Sequence, residues 1–231
     1  MAASNNEGSI VRPSTDKSPR RMSKDLRRIK EQRERILEAA SEIMARDASG
    51  KVTLEGIASE AGISTGTIYY YFKSKGELLY HLHMYSGDLV QDSVYPILTN
   101  KTIPPRERLE QAVRAHTLVV CRHWQIWRCF WWDLGLGETP PDLARIVRRR
   151  GRGYQKVLAD LVTEVCQAEG WTTSEPEATA RMIVDLIQSI PRWYKKGGRV
   201  TAEELADRVV KCAIDGFFDK PDLGGHHTEF S

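Results

Sequence analysis

The sequence predicts an all-α protein, a small N-terminal helical domain followed by a larger helical bundle. Three observations carry that expectation. Apolar residues recur at helical spacing through nearly every long segment, and no segment alternates apolar with polar residues as a half-buried strand would. Two short amphipathic stretches meet at Gly62, where a sharp interhelical turn needs a residue that tolerates positive φ. Pro96, Pro104 and Pro105 then break the pattern and mark the second domain.

The elements follow in order. Residues 1–22 are rich in Ser, Asn, Pro and Gly without a hydrophobic period, and are expected to be a disordered, basic-leaning arm. A first helix is predicted over residues 23–46, with Ile29, Ile36, Leu37, Ala40, Ile43 and Met44 as its inner stripe and 47–51 as its exit. Thr53 caps the second helix, which places Leu54, Ile57, Ala58 and Ala61 on one face. Ser64 caps a third over 65–72, and a fourth runs from near Ser74 through Leu78, Leu79, Leu82 and Leu89 toward Tyr95. Helical patterns continue over 106–123, through an aromatic stretch at 124–134, and over 141–168. Ser174 and Glu177 read as a capping box with Pro176 inside its first turn, and Thr201 and Glu204 as a second box opening the last helix. The domains are therefore expected at 1–22, 23–80, 81–220 and a flexible tail, 221–231.

Composition narrows the class. The chain has 231 residues, 41% of them hydrophobic, enough for a core, and no apolar run approaches a membrane span. The polar N-terminus lacks an apolar signal region, so a cytoplasmic location is expected. Cys121, Cys129, Cys166 and Cys212 form no CxxC pair and read as reduced thiols. His81, His83, His116 and His123 show no ligand spacing with them, so neither a metal nor a cofactor is expected. No GxSxG, complete GxGxxG, P-loop or HExxH occurs, and the chain is not expected to be an enzyme.

The third helix is unusual core material. Ile68 and Phe72 are apolar at i and i+4, while Thr65, Thr67, Tyr69, Tyr70 and Tyr71 crowd its other sides beside Gly66. Hydroxyls and tyrosines can reach phosphates, base edges and thymine methyls, so this face suits a nucleic-acid groove. Residues 17–35 carry nine Lys and Arg against three acids, a net +6 that leaves −3 for the remainder of a chain of net +3. Such a segment is either an electrostatic footprint for nucleic acid or a solvated tail.

The string T-L-x-x-I-A-x-x-A-G-I-S-x-G-T-I-Y-Y-Y-F-x-S-K-x-x-L-L, residues 53–79, resembles the DNA-binding domain of TetR-family transcriptional regulators. Nearly every position of that pattern is filled. The resemblance implies a homodimer on a palindromic operator of double-stranded DNA, most often a repressor released by a small-molecule effector. It implies DNA contacts from Thr53, Ser64, Thr65, Gly66, Thr67, Tyr69, Tyr70, Tyr71 and Lys75, with Arg27 and Arg28 from the basic helix. It also implies that the last two long helices, 176–194 and 202–218, pair with their copies. Their apolar stripes alone say only bundle core.

Four of the six tryptophans, Trp124, Trp127, Trp131 and Trp132, fall in nine residues, and the first three of these share a helix face. Indoles fill cores and line cavities equally well. Arg145, Arg148, Arg149, Arg150 and Arg152 precede Tyr154. They either solvate a helix face or receive phosphates. The strings PPDLARIVRRRGRGYQKVL and PRWYKKGGRVTAEELAD look like the TetR branch that senses acyl-CoA or other CoA thioesters. That likeness implies a ligand site of Trp124, Trp127, Arg128, Trp131, Arg148, Arg149, Tyr154, Arg192 and Trp193. The sequence departs from the branch at Pro191 and at Gly151 and Gly153, candidates for a kink, each interior glycine costing about 0.5–1 kcal/mol relative to alanine. A TetR-type activator, a regulator sensing uncharged hydrophobic compounds, and a non-regulatory helical enzyme or binding protein are the alternatives.

Overall fold

Local capping fixes where the short helices start. In the computed structural model Thr53 is extended, and its Oγ1 accepts the Gly56 N–H at 3.1 Å to open α2, Leu54–Glu60. Ser64 Oγ accepts the Thr67 N–H at 3.0 Å to open α3, Thr65–Tyr71, and Gly62 makes the intervening turn at φ 67°. Ser74 Oγ accepts the Glu77 N–H at 3.1 Å to open α4, Lys75–Thr99. With α1, Pro19–Arg46, these helices close on a core of Ile36, Leu37, Ile57, Ile68, Phe72 and Leu79. The structure describes residues 19–46, 52–130, 137, 139–173 and 175–221. The N-terminal arm through residue 18 and the C-terminal tail from 222 lie outside them.

The second part consists of α5, Pro105–Arg122, α6, Trp124–Phe130, α7, Pro141–Glu169, α8, Pro176–Ser189, a 3-10 turn at Ile190–Arg192, and α9, Ala202–Gly216. Helix α5 is central and packs against α4, α7, α8 and α9, while α6 lies against α1. Arg108, 1% exposed, pairs with Glu164 of α7, which also binds Lys101. Partial burial works against ionising Glu164, but the bonds from Lys101 and Arg108 outweigh it and hold that carboxyl below its usual range. The described residues contain no strand, and none of their helices is long and apolar enough to cross a membrane.

Four details differ from the sequence reading. Helix α1 begins at Pro19, four residues early, proline being suited to a first turn. Helix α4 does not stop near Tyr95 but passes Pro96 and ends at Thr99. Pro96 lies only three residues from that end, so little of the hydrogen-bond ladder is lost, and buried Val94 and Leu98 hold the last turns in place. The cap of α8 is Glu175, at φ −157° and ψ 118° with no side-chain bond, because a residue before proline is pushed to extended backbone. Ser174 lies outside the described residues. Finally, α7 runs unbroken through Gly151 and Gly153 and ends at Gly170, φ 67°, a left-handed cap.

Candidate functional site

Two surfaces stand out. The first is α3. Ile68 and Phe72 are fully buried and fix the helix to its domain, with Tyr71 partly buried against the same core, so Thr65, Gly66, Tyr69 and Tyr70 are left exposed. Thr65 and Gly66 are exposed, and Tyr70 is 74% exposed. A Cβ at Gly66 would meet nothing nearer than Ser64 Oγ at 3.8 Å, so the fold itself does not demand glycine there. Thr67 Oγ1 and Ser64 Oγ share a 2.7 Å hydrogen bond. The Tyr70 and Tyr71 rings meet edge-on at 5.0 Å. The Tyr69 hydroxyl donates to the Glu55 carboxylate and ties α3 to α2. That bond lowers the Glu55 pKa and raises that of Tyr69. Lys75 is half-buried in the first turn of α4, and Arg27 and Arg28 are exposed on α1, where Arg27 Nε donates to Glu31 at 2.7 Å.

The second surface is a cavity of about 600 Å³ between α4, α5, α6, α7 and α8. Of the ligand residues implied by sequence, Trp127, Arg148 and Tyr154 meet in its wall. Arg149 is exposed outside it, and Arg128 lies over the Trp124 ring, 5.6 Å from its centroid, also outside. Arg192 ends the 3-10 turn, Trp193, 56% exposed, follows it, and neither lines the cavity. Trp131 lies outside the described residues.

Sequence reasoning missed much of the rest. Arg150 Nη1 donates to the Met84 carbonyl at 3.1 Å and Nη2 to Asp88 Oδ1 at 2.8 Å, so α7 is latched to α4. The guanidinium lies on Gly87, where a Cβ would come within 2.9 Å of its Cζ and Nε. Both Gly87 and Arg150 line the cavity, whereas Arg148 makes no ion pair or hydrogen bond among the described residues. His83 of α4 and His116 of α5 also line it, and burial holds both imidazoles down to about 4, hence neutral near pH 7. His116 Nδ1 is 3.0 Å from the Tyr154 hydroxyl, whose ionisation burial opposes. The arginine run predicts Arg150 facing water or phosphate, whereas it binds Met84 and Asp88, and its place four residues before Tyr154 on one helix face is the hint that it turns inward.

Residues 36–82 match the family model described as bacterial regulatory proteins, tetR family, and residues 102–217 match the tetracyclin repressor-like C-terminal domain. The chain belongs to the TetR family. A TetR-family chain is a DNA-binding transcriptional regulator, whose partners are double-stranded DNA, a small-molecule effector and a second copy of itself. Its relatives include an HTH-type transcriptional repressor, KstR2, of Mycolicibacterium smegmatis, 23% identical over 80% of this chain and 89% of the relative. The fatty acid metabolism regulator protein of Bacillus subtilis is 22% identical over 80% of this chain and 95% of its own. Two solved structures share the fold. AibR in complex with isovaleryl coenzyme A and operator DNA has a TM-score of 0.67 at 22% identity, over 78% of this chain and 96% of that one. KstR2 of Mycobacterium tuberculosis has a TM-score of 0.71 at 22% identity, over 82% and 96%.

Proposed function

We propose that this TetR-family regulator is a cytoplasmic, homodimeric repressor released from a palindromic operator by an amphipathic effector, with a CoA thioester as the favoured class. The observation that carries this reading is the cavity, where the Trp127 indole and the Arg148 guanidinium stand in one wall. An aromatic wall favours an apolar body, and a guanidinium without an internal partner favours a phosphate or carboxylate. AibR, whose solved complex contains isovaleryl coenzyme A and operator DNA, supports the same pairing of ligands. In this reading α3 enters the major groove with Thr67 and Tyr70 toward the bases, and Lys75 meets phosphate from the α4 N-terminus. Helices α8 and α9 make the dimer, where Met182, 43% exposed, becomes covered.

The test is tryptophan fluorescence and operator binding during titration with acyl-CoAs, free acids and CoA alone. A saturable change with a thioester, accompanied by DNA release and weakened in Arg148→Ala, is expected. Release by uncharged hydrophobic compounds alone would overturn the anionic head.

A further inference from the structure

We infer that the cavity reads a carbonyl or hydroxyl oxygen on the body of its effector through the His116–Tyr154 pair, so that the effector is an oxygenated acyl group rather than a plain saturated chain. This rests on the cavity being the effector site and adds the chemistry of the body to it.

A neutral imidazole has one donor and one acceptor nitrogen, and a phenol one donor hydrogen with acceptor lone pairs. His116 Nδ1 and the Tyr154 hydroxyl use one donor and one acceptor on each other at 3.0 Å. If Tyr154 donates, His116 Nε2–H is left over as donor and the phenol oxygen as acceptor. If Nδ1–H donates, the phenol O–H is left over as donor and Nε2 as acceptor. Either tautomer leaves one donor and one acceptor. Among the described residues neither side chain has a second hydrogen-bond partner, and both line the cavity.

The pair is also rigid. The two rings meet edge-on, 5.4 Å between centroids at 89°, which fixes the spare groups in place between α5 and α7. Burial keeps His116 uncharged, so the pair offers neutral hydrogen bonds and not a charge to the ligand. Tyr154 stands one helical turn beyond Arg150 and six residues beyond Arg148 on α7. An anionic head at Arg148 therefore leaves the body of the same ligand within reach of the pair. A saturated chain in that position would cover the spare donor and acceptor without replacing their bonds to water, which is unfavourable. A keto or hydroxyl oxygen satisfies them.

The experiment titrates the full-length protein, read by tryptophan fluorescence, with CoA thioesters of six to ten carbons. Each saturated acyl group, open-chain or cyclic, is paired with keto and hydroxy forms of the same skeleton that differ in oxygen position. The corresponding CoA-free acids form a second series. At least one oxygenated member is expected to bind roughly tenfold tighter than its saturated partner, the size of one satisfied hydrogen bond. The double variant Tyr154→Phe/His116→Leu, which removes every donor and acceptor of the pair, is expected to erase that margin, the oxygenated member losing its advantage and the saturated partner no longer covering an unpaired polar group. If that variant fails to fold, the pairs titrated on the unaltered protein still decide. Saturated thioesters binding as tightly as every oxygenated one overturn the inference and leave the CoA reading standing. Binding and preference confined to the CoA-free acids support the inference and overturn the CoA head. No binding by any member overturns both.

Discussion

Gly87 leaves room for Arg150 in the cavity wall, since a methyl group on Gly87 would stand 2.9 Å from the guanidinium that binds Met84 and Asp88. Gly87→Ala should therefore displace the far end of a flexible side chain and weaken both bonds, and the about 0.5–1 kcal/mol that alanine gains inside a helix offsets much of that loss. Arg150→Ala, which removes the latch without that gain, is expected to lower the melting temperature by a few degrees, and an unchanged one would show the latch to be slack. The buried histidines set a pH dependence. His116 titrates at about 4 in the fold but near 6.5 when unfolded, so the unfolded chain binds more protons between those values. Stability is then complete above pH ~6.5 and falls as pH drops toward 4, by about 2 kcal/mol at pH 5 from this residue alone. His83 acts in the same direction. Urea midpoints at pH 7.5 and pH 5 test this, and His116→Gln is expected to flatten the difference. Caps such as Thr53, Ser64 and Thr201 were legible in sequence because capping depends on residues three positions away. The Arg150 latch was not, because nothing local says which turn of α4 faces an arginine more than sixty residues later.

Among the elements, α3 is anchored by buried Ile68, by its C-cap Phe72 and by partly buried Tyr71, and it leaves Thr65, Gly66, Tyr69 and Tyr70 exposed. Thr67→Ala and Tyr70→Ala are expected to change which bases are preferred. Lys75→Ala should instead weaken all sites alike and reduce the salt slope by about one. Binding to an operator library at several salt concentrations separates these outcomes, and unchanged preference in folded Thr67 and Tyr70 variants contradicts the placement. Replacing Arg20 and Arg21 by alanine, which removes two of the nine cations of residues 17–35, is expected to lower DNA affinity most at low salt while the melting temperature stays constant. Helix periods were easily read, because a buried stripe must repeat on a 3.6-residue turn. The end of α4 was misjudged for a tertiary reason, the burial of Val94 and Leu98 on either side of Pro96. Which tryptophan enters the cavity was equally beyond periodicity. Trp124 and Trp127 are one turn apart on α6, yet packing directs only Trp127 inward.

At the scale of the whole molecule, α4 joins the two surfaces. One continuous helix starts at Lys75, directly after α3, and carries His83, Gly87 and Gln91 into the cavity wall. Helix α6 adds a second bridge, where buried Cys129, its Sγ donating to the Gln125 carbonyl at 3.1 Å, lies 3.6 Å from the Ser41 carbonyl of α1. A ligand that binds better to one setting of α4 must bias the spacing of the two recognition helices in a dimer, and DNA must weaken that ligand by the same factor. The most direct measurement of this account is operator DNA affinity with and without a saturating CoA thioester, in the unaltered protein and in Arg148→Ala. The account predicts that the thioester releases DNA from the former and that a substantially higher concentration is needed for the latter. Operator affinity that stays constant while the thioester demonstrably fills the cavity would contradict it.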